Sequence, residues 1–201
     1  MTRSCRRGSA LIGVLIAVLL VAGCTATVDG TPTAEAAPAP AEGPGSDPVA
    51  WADRVCEAVL SFAVPATSAP DFATTSDLPA VQRMVSAYLR TVVTGAQQGR
   101  ARLAEVGRAP EPAGDDAVGR AQSAMEALEK DFGGVKATVD DADANDPDAF
   151  MATLTRIESR LSAVDPPNLL GDLTVAPRLL RAAERADQCR RLSALAANPP
   201  R

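Results

Sequence analysis

Cysteine is the residue type in this chain with the widest choice of chemistry, and it occurs at Cys5, Cys24, Cys56 and Cys189. A thiol can be acylated, oxidised to a disulfide, or used as a nucleophile or a metal ligand. Histidine, the usual partner of a catalytic or metal-binding cysteine, is missing from all 201 residues. Ser-His-Asp and Cys-His catalysis are therefore excluded, and an enzyme would have to rely on carboxylates alone. We predict no catalytic residue, no metal site and no cofactor.

Cys24 follows a segment typical of an export signal. Basic Met1–Arg7 precedes the apolar run Ala10–Ala22. That run is about 13 residues long, or roughly 20 Å as a helix, which is short for a hydrocarbon core of about 30 Å. The sequence VAGC at residues 21–24 resembles the bacterial lipobox, which implies cleavage before Cys24 and attachment of a diacylglycerol to its thiol. An ordinary Sec signal, an uncleaved anchor and twin-arginine export stay open as alternatives.

Residues 24–46 are rich in Pro, Ala and Thr and predict a flexible linker, because they offer almost no large apolar side chain. Linker threonines beside proline could carry O-glycans, and an unmodified linker is the alternative. We therefore divide the chain into a signal peptide over 1–23, a lipid-anchored linker over 24–46 and a folded domain over 47–198.

The net charge limits the partners of the exported form. Loss of the three signal-peptide arginines leaves 17 basic against 25 acidic side chains, a net charge of −8. An acidic domain is repelled by phosphate backbones, which argues against nucleic-acid binding. The same charge predicts poor peripheral binding to anionic lipid.

The folded part carries apolar side chains at helical spacing, and aromatic residues supply only 3% of the chain. We predict an all-α fold, an antiparallel bundle of about five helices. Cap residues and prolines suggest their limits. The predicted helices run from Ser46/Asp47 to Pro65, from Ser76-Asp77 to residues 107–114, along the three-four seam from Val118 to Val139, from Asn145-Asp146-Pro147 to Asp165, and from Thr174 to Ala197.

Cys56 and Cys189 form an even pair in the exported domain, one on the first helix and one on the last. We predict a disulfide between them, since exported domains keep such bonds oxidised. It would close a loop of more than 130 residues and contribute roughly 4–5 kcal/mol in the chain-entropy model. The alternative is a redox-active pair, which the lack of a C-x-x-C motif disfavours.

The acidic stretch DDADANDPDAF at residues 140–150 partly matches a calcium loop, with Asp141, Asp143 and Asn145 at the first, third and fifth positions. Asp146 replaces the required glycine, and Ala152 replaces the bidentate glutamate. We therefore favour a polar turn that caps the following helix over a calcium site.

Glycine occurs inside two of the predicted helices, as Gly95 and Gly99 and as Gly133-Gly134. Close helix crossing is one explanation, and a kink that opens a ligand cleft at Gly133-Gly134 is the other. The carboxylates Glu126, Glu129 and Asp131 fit a solvated face, and Trp51 fits the core better than a ligand clamp.

Three stretches carry a family resemblance: WADRVCEAV, VDPPNLLGDL and AAERADQCRRL. With the lipobox, they make the chain similar to small exported helical lipoproteins of actinobacteria, of mycobacterial, nocardial or streptomycete type. The resemblance implies a lipid-anchored helical domain on the extracytoplasmic face of the cell membrane, and it brings no activity to carry over.

Two functions follow as expectations. The first is a binding or interaction module without catalysis, held to the membrane through lipid on Cys24, with an envelope protein or a lipid as partner. The second is a carrier or sensor of a small apolar ligand between helices. The oligomeric state is left open.

Overall fold

The computed structural model describes residues 39–71, 75–164 and 167–197, and within these ranges the protein contains seven α-helices and no strand. This confirms the predicted all-α fold. The helices are α1 (Pro48–Thr67), α2 (Leu78–Glu105), α3 (Pro112–Asp140), α4 (Pro147–Leu161), α5 (Leu169–Asp172), α6 (Pro177–Arg185) and α7 (Asp187–Ala197), with a 3-10 turn at Leu173–Val175. The predicted signal peptide over 1–23, Cys24 and the linker up to residue 38 lie outside the described residues.

The helices α1, α2 and α4 begin where the sequence predicts, because proline fits the first turn of each. α3 begins at Pro112, six residues before the predicted seam at Val118. Proline occupies a first-turn position in α1, α2, α3, α4 and α6. The Asp47 carboxylate accepts a hydrogen bond from Val49 N at 2.8 Å, and the Asp146 carboxylate accepts one from Ala149 N at 3.1 Å. These two caps confirm the predicted starts of α1 and α4.

The end of α1 differs from the prediction, because the helix continues through Pro65 to Thr67. Proline has no N–H, so the Ser61 carbonyl one turn earlier loses its usual helical partner. That carbonyl faces α2 at Gly95, where a Cβ atom would lie only 2.4 Å from the Ser61 oxygen. Pro65 therefore stays inside α1 at the place where a neighbouring helix approaches closely.

The predicted last helix from Thr174 to Ala197 is wrong as a single element. The chain forms the 3-10 turn and then α6. The helix ends at buried Ala186, whose ψ of 131° is extended. The new start of α7 is capped from another helix, since Gln188 N donates to the Asp53 carboxylate of α1 at 2.8 Å. A tertiary cap of this kind replaces the helical bond that the break removes.

The helices α1, α2 and α3 form an antiparallel stack. Gly95 and Gly99 of α2 approach the carbonyls of Ser61 and Ala58 of α1, in opposite chain directions. Gln82 of α2 contacts Val139 of α3, and Gln97 of α2 contacts Glu129 of α3, so these two helices also run in opposite directions. The main core lies within this stack and against α5, α6 and α7. Its largest fully buried side chains are Trp51, Leu103, Met125, Leu128, Leu169, Leu173 and Leu179.

The periodic faces expected in α1 and α3 are largely confirmed. Trp51, Val55, Val59 and Phe62 of α1 are all buried. The seam of α3 is buried at Ala121, Met125, Leu128, Val135 and Val139, and half-buried at Val118 and Phe132. None of the helices in the described ranges is both long and apolar enough to cross a bilayer.

Candidate functional site

The paired cysteines join the first described helix to the last. The Cα atoms of Cys56 and Cys189 lie 5.0 Å apart, their sulfurs are at disulfide distance, and both residues are buried. This confirms the pairing predicted from the sequence. The buried sulfurs are shielded from other thiols, which favours a structural bond over a redox-active pair.

Polar contacts reinforce the same side of the bundle. The Asp53 carboxylate holds the start of α7 through Gln188 N. Arg54 donates to the Val106 carbonyl at 3.3 Å, and Arg102 of α2 pairs with Glu57 of α1 at 2.8 Å. These side chains serve the packing of α1 against α2 and α7.

Trp51 is a core residue, as expected. It is 0% exposed, and α3 begins beside it: a Cβ atom on Gly114 would lie 2.9 Å from its Cη2 atom and 2.8 Å from Leu179 Cδ1. Its indole Nε1 has no hydrogen-bond partner among the described residues. The ring therefore fills space at the point where α1, α3 and α6 meet.

The acidic turn between α3 and α4 is held by its own side chains. Asp143 accepts a hydrogen bond from Asn145 N at 2.9 Å, and Asp146 caps α4. The Gln82 side chain of α2 donates to the carbonyls of Val139 at 2.8 Å and Ala142 at 2.7 Å. The described ranges contain no group of three or more His, Cys, Asp or Glu side chains placed to hold a metal ion.

The ionisation of Asp140, at the end of α3, is altered by its neighbours. The Lys136 ammonium donates to its carboxylate. This hydrogen bond, followed by one from Ser86, lowers the pKa of Asp140 below its ordinary value. The carboxylate therefore stays ionised as part of a surface ion pair.

The two interior glycine pairs have different roles. A Cβ atom on Gly99 would lie 2.8 Å from the Ala58 carbonyl, which confirms close crossing of α1 and α2. In contrast, Gly133 and Gly134 lie inside the uninterrupted helix α3. The Arg160 guanidinium of α4 covers Gly134 at 3.4 Å from the Cβ position, and Gly133 faces open space. The Arg160 side chain therefore lies where the alternative explanation placed a ligand cleft.

An open apolar groove of about 360 Å³ lies instead where the end of α1 meets α2. Tyr88 lies along it and donates from Oη to the Ala66 carbonyl at 2.7 Å, and burial raises the pKa of Tyr88. Sequence reasoning missed this groove, although Pro70 was available as a signal that the chain has left the helix here. It is lined by Pro65, Ser68, Pro70, Met84, Ala87, Tyr88 and Thr91.

A basic surface on α6 was also missed. Arg178, Arg181 and Arg185 are exposed and spaced i, i+3 and i+7, which places them on one face of the helix. The spacing of these arginines is visible in the sequence, but the acidic net charge of the whole chain gave no indication of a basic surface. We call these three residues the Arg face.

Comparison with known proteins found no matching family model, no similar curated protein and no similar solved structure.

Proposed function

We propose that the protein is an interaction module of the cell envelope, exported and held on the extracytoplasmic face of the cell membrane by lipid on Cys24. The observation that carries this proposal is the buried pairing of Cys56 with Cys189. Structural disulfides persist in exported proteins and are rare in the cytosol of most organisms. The pairing therefore supports export independently of the lipobox-like sequence at residues 21–24.

The role as an interaction module rests on how the polar side chains are used. Asp53 and Asp146 cap helices, and Asp172 pairs with Arg120 at 2.9 Å. The core is closed around Trp51 by three helices and stapled to the last one. A frame of this kind presents a fixed surface, and a partner that binds it meets little cost of reordering.

The anchor is tested by expressing the full chain in an actinobacterial host and fractionating the cells. Cys24→Ser is expected to move the protein out of the membrane fraction, because it removes the thiol that would carry the diacylglycerol. Cys5→Ser is the matched control and leaves the protein in the membrane. Mass spectrometry of the wild-type N-terminal peptide is expected to show a diacylglycerol on Cys24.

Two results would contradict the anchor. A wild-type protein that stays in the membrane with residues 1–23 attached and no lipid on Cys24 would indicate an uncleaved signal. A wild-type protein released without lipid would indicate an ordinary Sec signal.

The second candidate, a carrier of a small apolar ligand, is favoured by the groove beside Tyr88. Native mass spectrometry of protein purified from the host is expected to show bound lipid if this function is correct. Ala87→Trp fills the groove and should abolish that signal, whereas Ala152→Trp on exposed α4 should preserve it. An empty wild-type protein would exclude the carrier.

A further inference from the structure

The guanidinium groups of the Arg face make few ion pairs within the fold. Neither Arg181 nor Arg185 makes an ion pair with a described residue, and Arg178 reaches Glu111 only at 3.9 Å. The chain has 25 acidic side chains that could have neutralised these guanidiniums. Instead, the face leaves its cations available to a partner.

Local charge on this surface is opposite to that of the whole chain. Residues 173–197 carry five arginines against two carboxylates, Glu184 and Asp187, and Asp187 pairs with Arg190. Glu111 adds a third carboxylate to this surface, beside Arg178. The complete chain has a net charge of −5. A partner that the Arg face attracts must therefore be anionic, and the remaining surface would repel it. Such a distribution favours one orientation of approach.

An exposed apolar residue adjoins the Arg face. Val175 is 72% exposed, and it lies in the turn three residues before Arg178. The other exposed large apolar residue of the described ranges is Met151, 53% exposed, on α4. An apolar side chain beside a row of cations is typical of elements that dock on a lipid headgroup layer, where the apolar group inserts and the cations pair with phosphates.

The described chain begins at the same end of the bundle. Gly43 N donates to the Arg108 carbonyl at 2.9 Å, and Glu111, three residues further on, contacts Arg178. The residues that lead back toward Cys24 therefore join the bundle beside the start of the Arg face. An anchor at Cys24 would hold this end at high effective concentration over the membrane.

From these four observations we propose that Val175 and the Arg face dock the domain onto the anionic lipid surface of its own membrane, in contrast to the poor binding to anionic lipid that the net charge of the chain predicts. Guanidinium groups can bind lipid phosphates with two parallel hydrogen bonds each. The inference rests on the proposed anchored location, and it adds an orientation: the domain lies with α6 against the headgroups.

The test uses the chain from residue 24 with Cys24→Ser, so that binding reports the protein surface alone. All residues of the main core lie between Trp51 and Cys189, so this chain retains the whole of it. In a flotation assay, vesicles of phosphatidylglycerol mixed with phosphatidylcholine are expected to carry the protein upward. Vesicles of pure phosphatidylcholine are expected to leave it behind. Binding should disappear as salt rises from about 0.1 M to about 1 M, where screening shortens from about 10 Å to about 3 Å.

Substitutions locate the surface. The triple variant Arg178→Gln, Arg181→Gln, Arg185→Gln is expected to lower the vesicle partition coefficient by about tenfold or more, since each basic residue near an anionic surface contributes about fivefold. The matched control Arg83→Gln, Arg90→Gln, Arg156→Gln removes the same charge from exposed positions on α2 and α4 and should retain most of the binding. Val175→Ser is expected to weaken binding, and Met151→Ser is not.

Each other outcome overturns the proposal. No binding to anionic vesicles, equal binding to neutral vesicles, or equal loss in the two triple variants would each do so. These failures leave the anchor untouched, because fractionation of Cys24→Ser cells tests it separately. Unchanged thermal melts of the variants show that folding is not the cause.

Discussion

The helices α7 and α4 both lie at the edge of the α1–α2–α3 stack, but they are held there by different means. α7 buries only Cys189, which is bonded covalently to α1, and its first turn is capped by Asp53. α4 is longer and buries Phe150 and Ile157 without a covalent link. We call α1 with α7 the stapled side and α3 with α4 the unstapled side.

The two sides also differ in how they join the core. Cys189 belongs to the main core around Trp51. Phe150 and Ile157 instead belong to two small separate clusters with residues of α2, α3 and the α3–α4 turn. Small satellite clusters open at lower free energy than a central core. The short helix α7 is therefore joined to the main core by a covalent bond, whereas the longer helix α4 depends on side-chain packing in the satellite clusters.

The largest expected effect is on the stapled side. Cys56→Ala with Cys189→Ala is expected to lower the free energy of unfolding by about 5 kcal/mol, because the bond closes a loop of 133 residues. Urea unfolding followed by fluorescence of the lone, buried Trp51 measures it. Reductant should destabilise the wild type similarly and leave the double variant unchanged. If reductant did not change the free energy of unfolding of the wild-type protein, the disulfide would not distinguish the stapled side from the unstapled side.

The unstapled side is tested by Phe150→Ala. Emptying this fully buried position is expected to cost about 3–4 kcal/mol, provided that α4 unfolds together with the rest. The adjacent, exposed Met151→Ala is the control and should change stability by less than about 0.5 kcal/mol. Hydrogen exchange should show α4 amides opening before those of α1. Equal protection of both helices would mean that the satellite clusters belong to a single cooperative unit.

Glycine substitutions compare how closely the backbone of a neighbouring helix approaches at α1, on the stapled side, and at α3, on the unstapled side. Gly95→Ala is expected to destabilise by about 2–3 kcal/mol, because its Cβ would meet the Ser61 carbonyl of α1. Gly133→Ala on α3 faces open space and should stabilise by about 0.5–1 kcal/mol, as alanine favours helix. Thermal unfolding of both variants should therefore show melting temperatures shifted in opposite directions. Shifts of the same sign would contradict the close crossing at Gly95.

Residue types and their spacing along the chain predicted several features of the structure. The caps at Asp47 and Asp146 and the buried face of α1 follow from spacing alone. The pairing of Cys56 with Cys189 followed from an even cysteine count. Each of these needs only residue types and their separation along the chain.

Features decided by distant residues were not predictable in the same way. The break at Ala186 has no glycine or proline to mark it, and its compensating cap comes from Asp53 on another helix. Pro65 stays helical although the sequence suggested a helix end. The Arg face shows a further limit, since a net charge of −5 says nothing about where cations gather.

The smallest expected effect concerns the polar contacts of the unstapled side. The Lys136 hydrogen bond lowers the pKa of Asp140 in the folded protein, so this pair contributes stability above the ordinary aspartate pKa of about 4 and loses it as the pH falls further. The pair is exposed, and the contribution is expected to be about 0.5 kcal/mol or less. NMR titration of the carboxyl should show the pKa of Asp140 rising in Lys136→Gln, with Lys130→Gln as the unaffected control. If the pKa of Asp140 stayed as low in Lys136→Gln, the ammonium would not be its main cause, and the hydrogen bond from Ser86 would have to account for the shift.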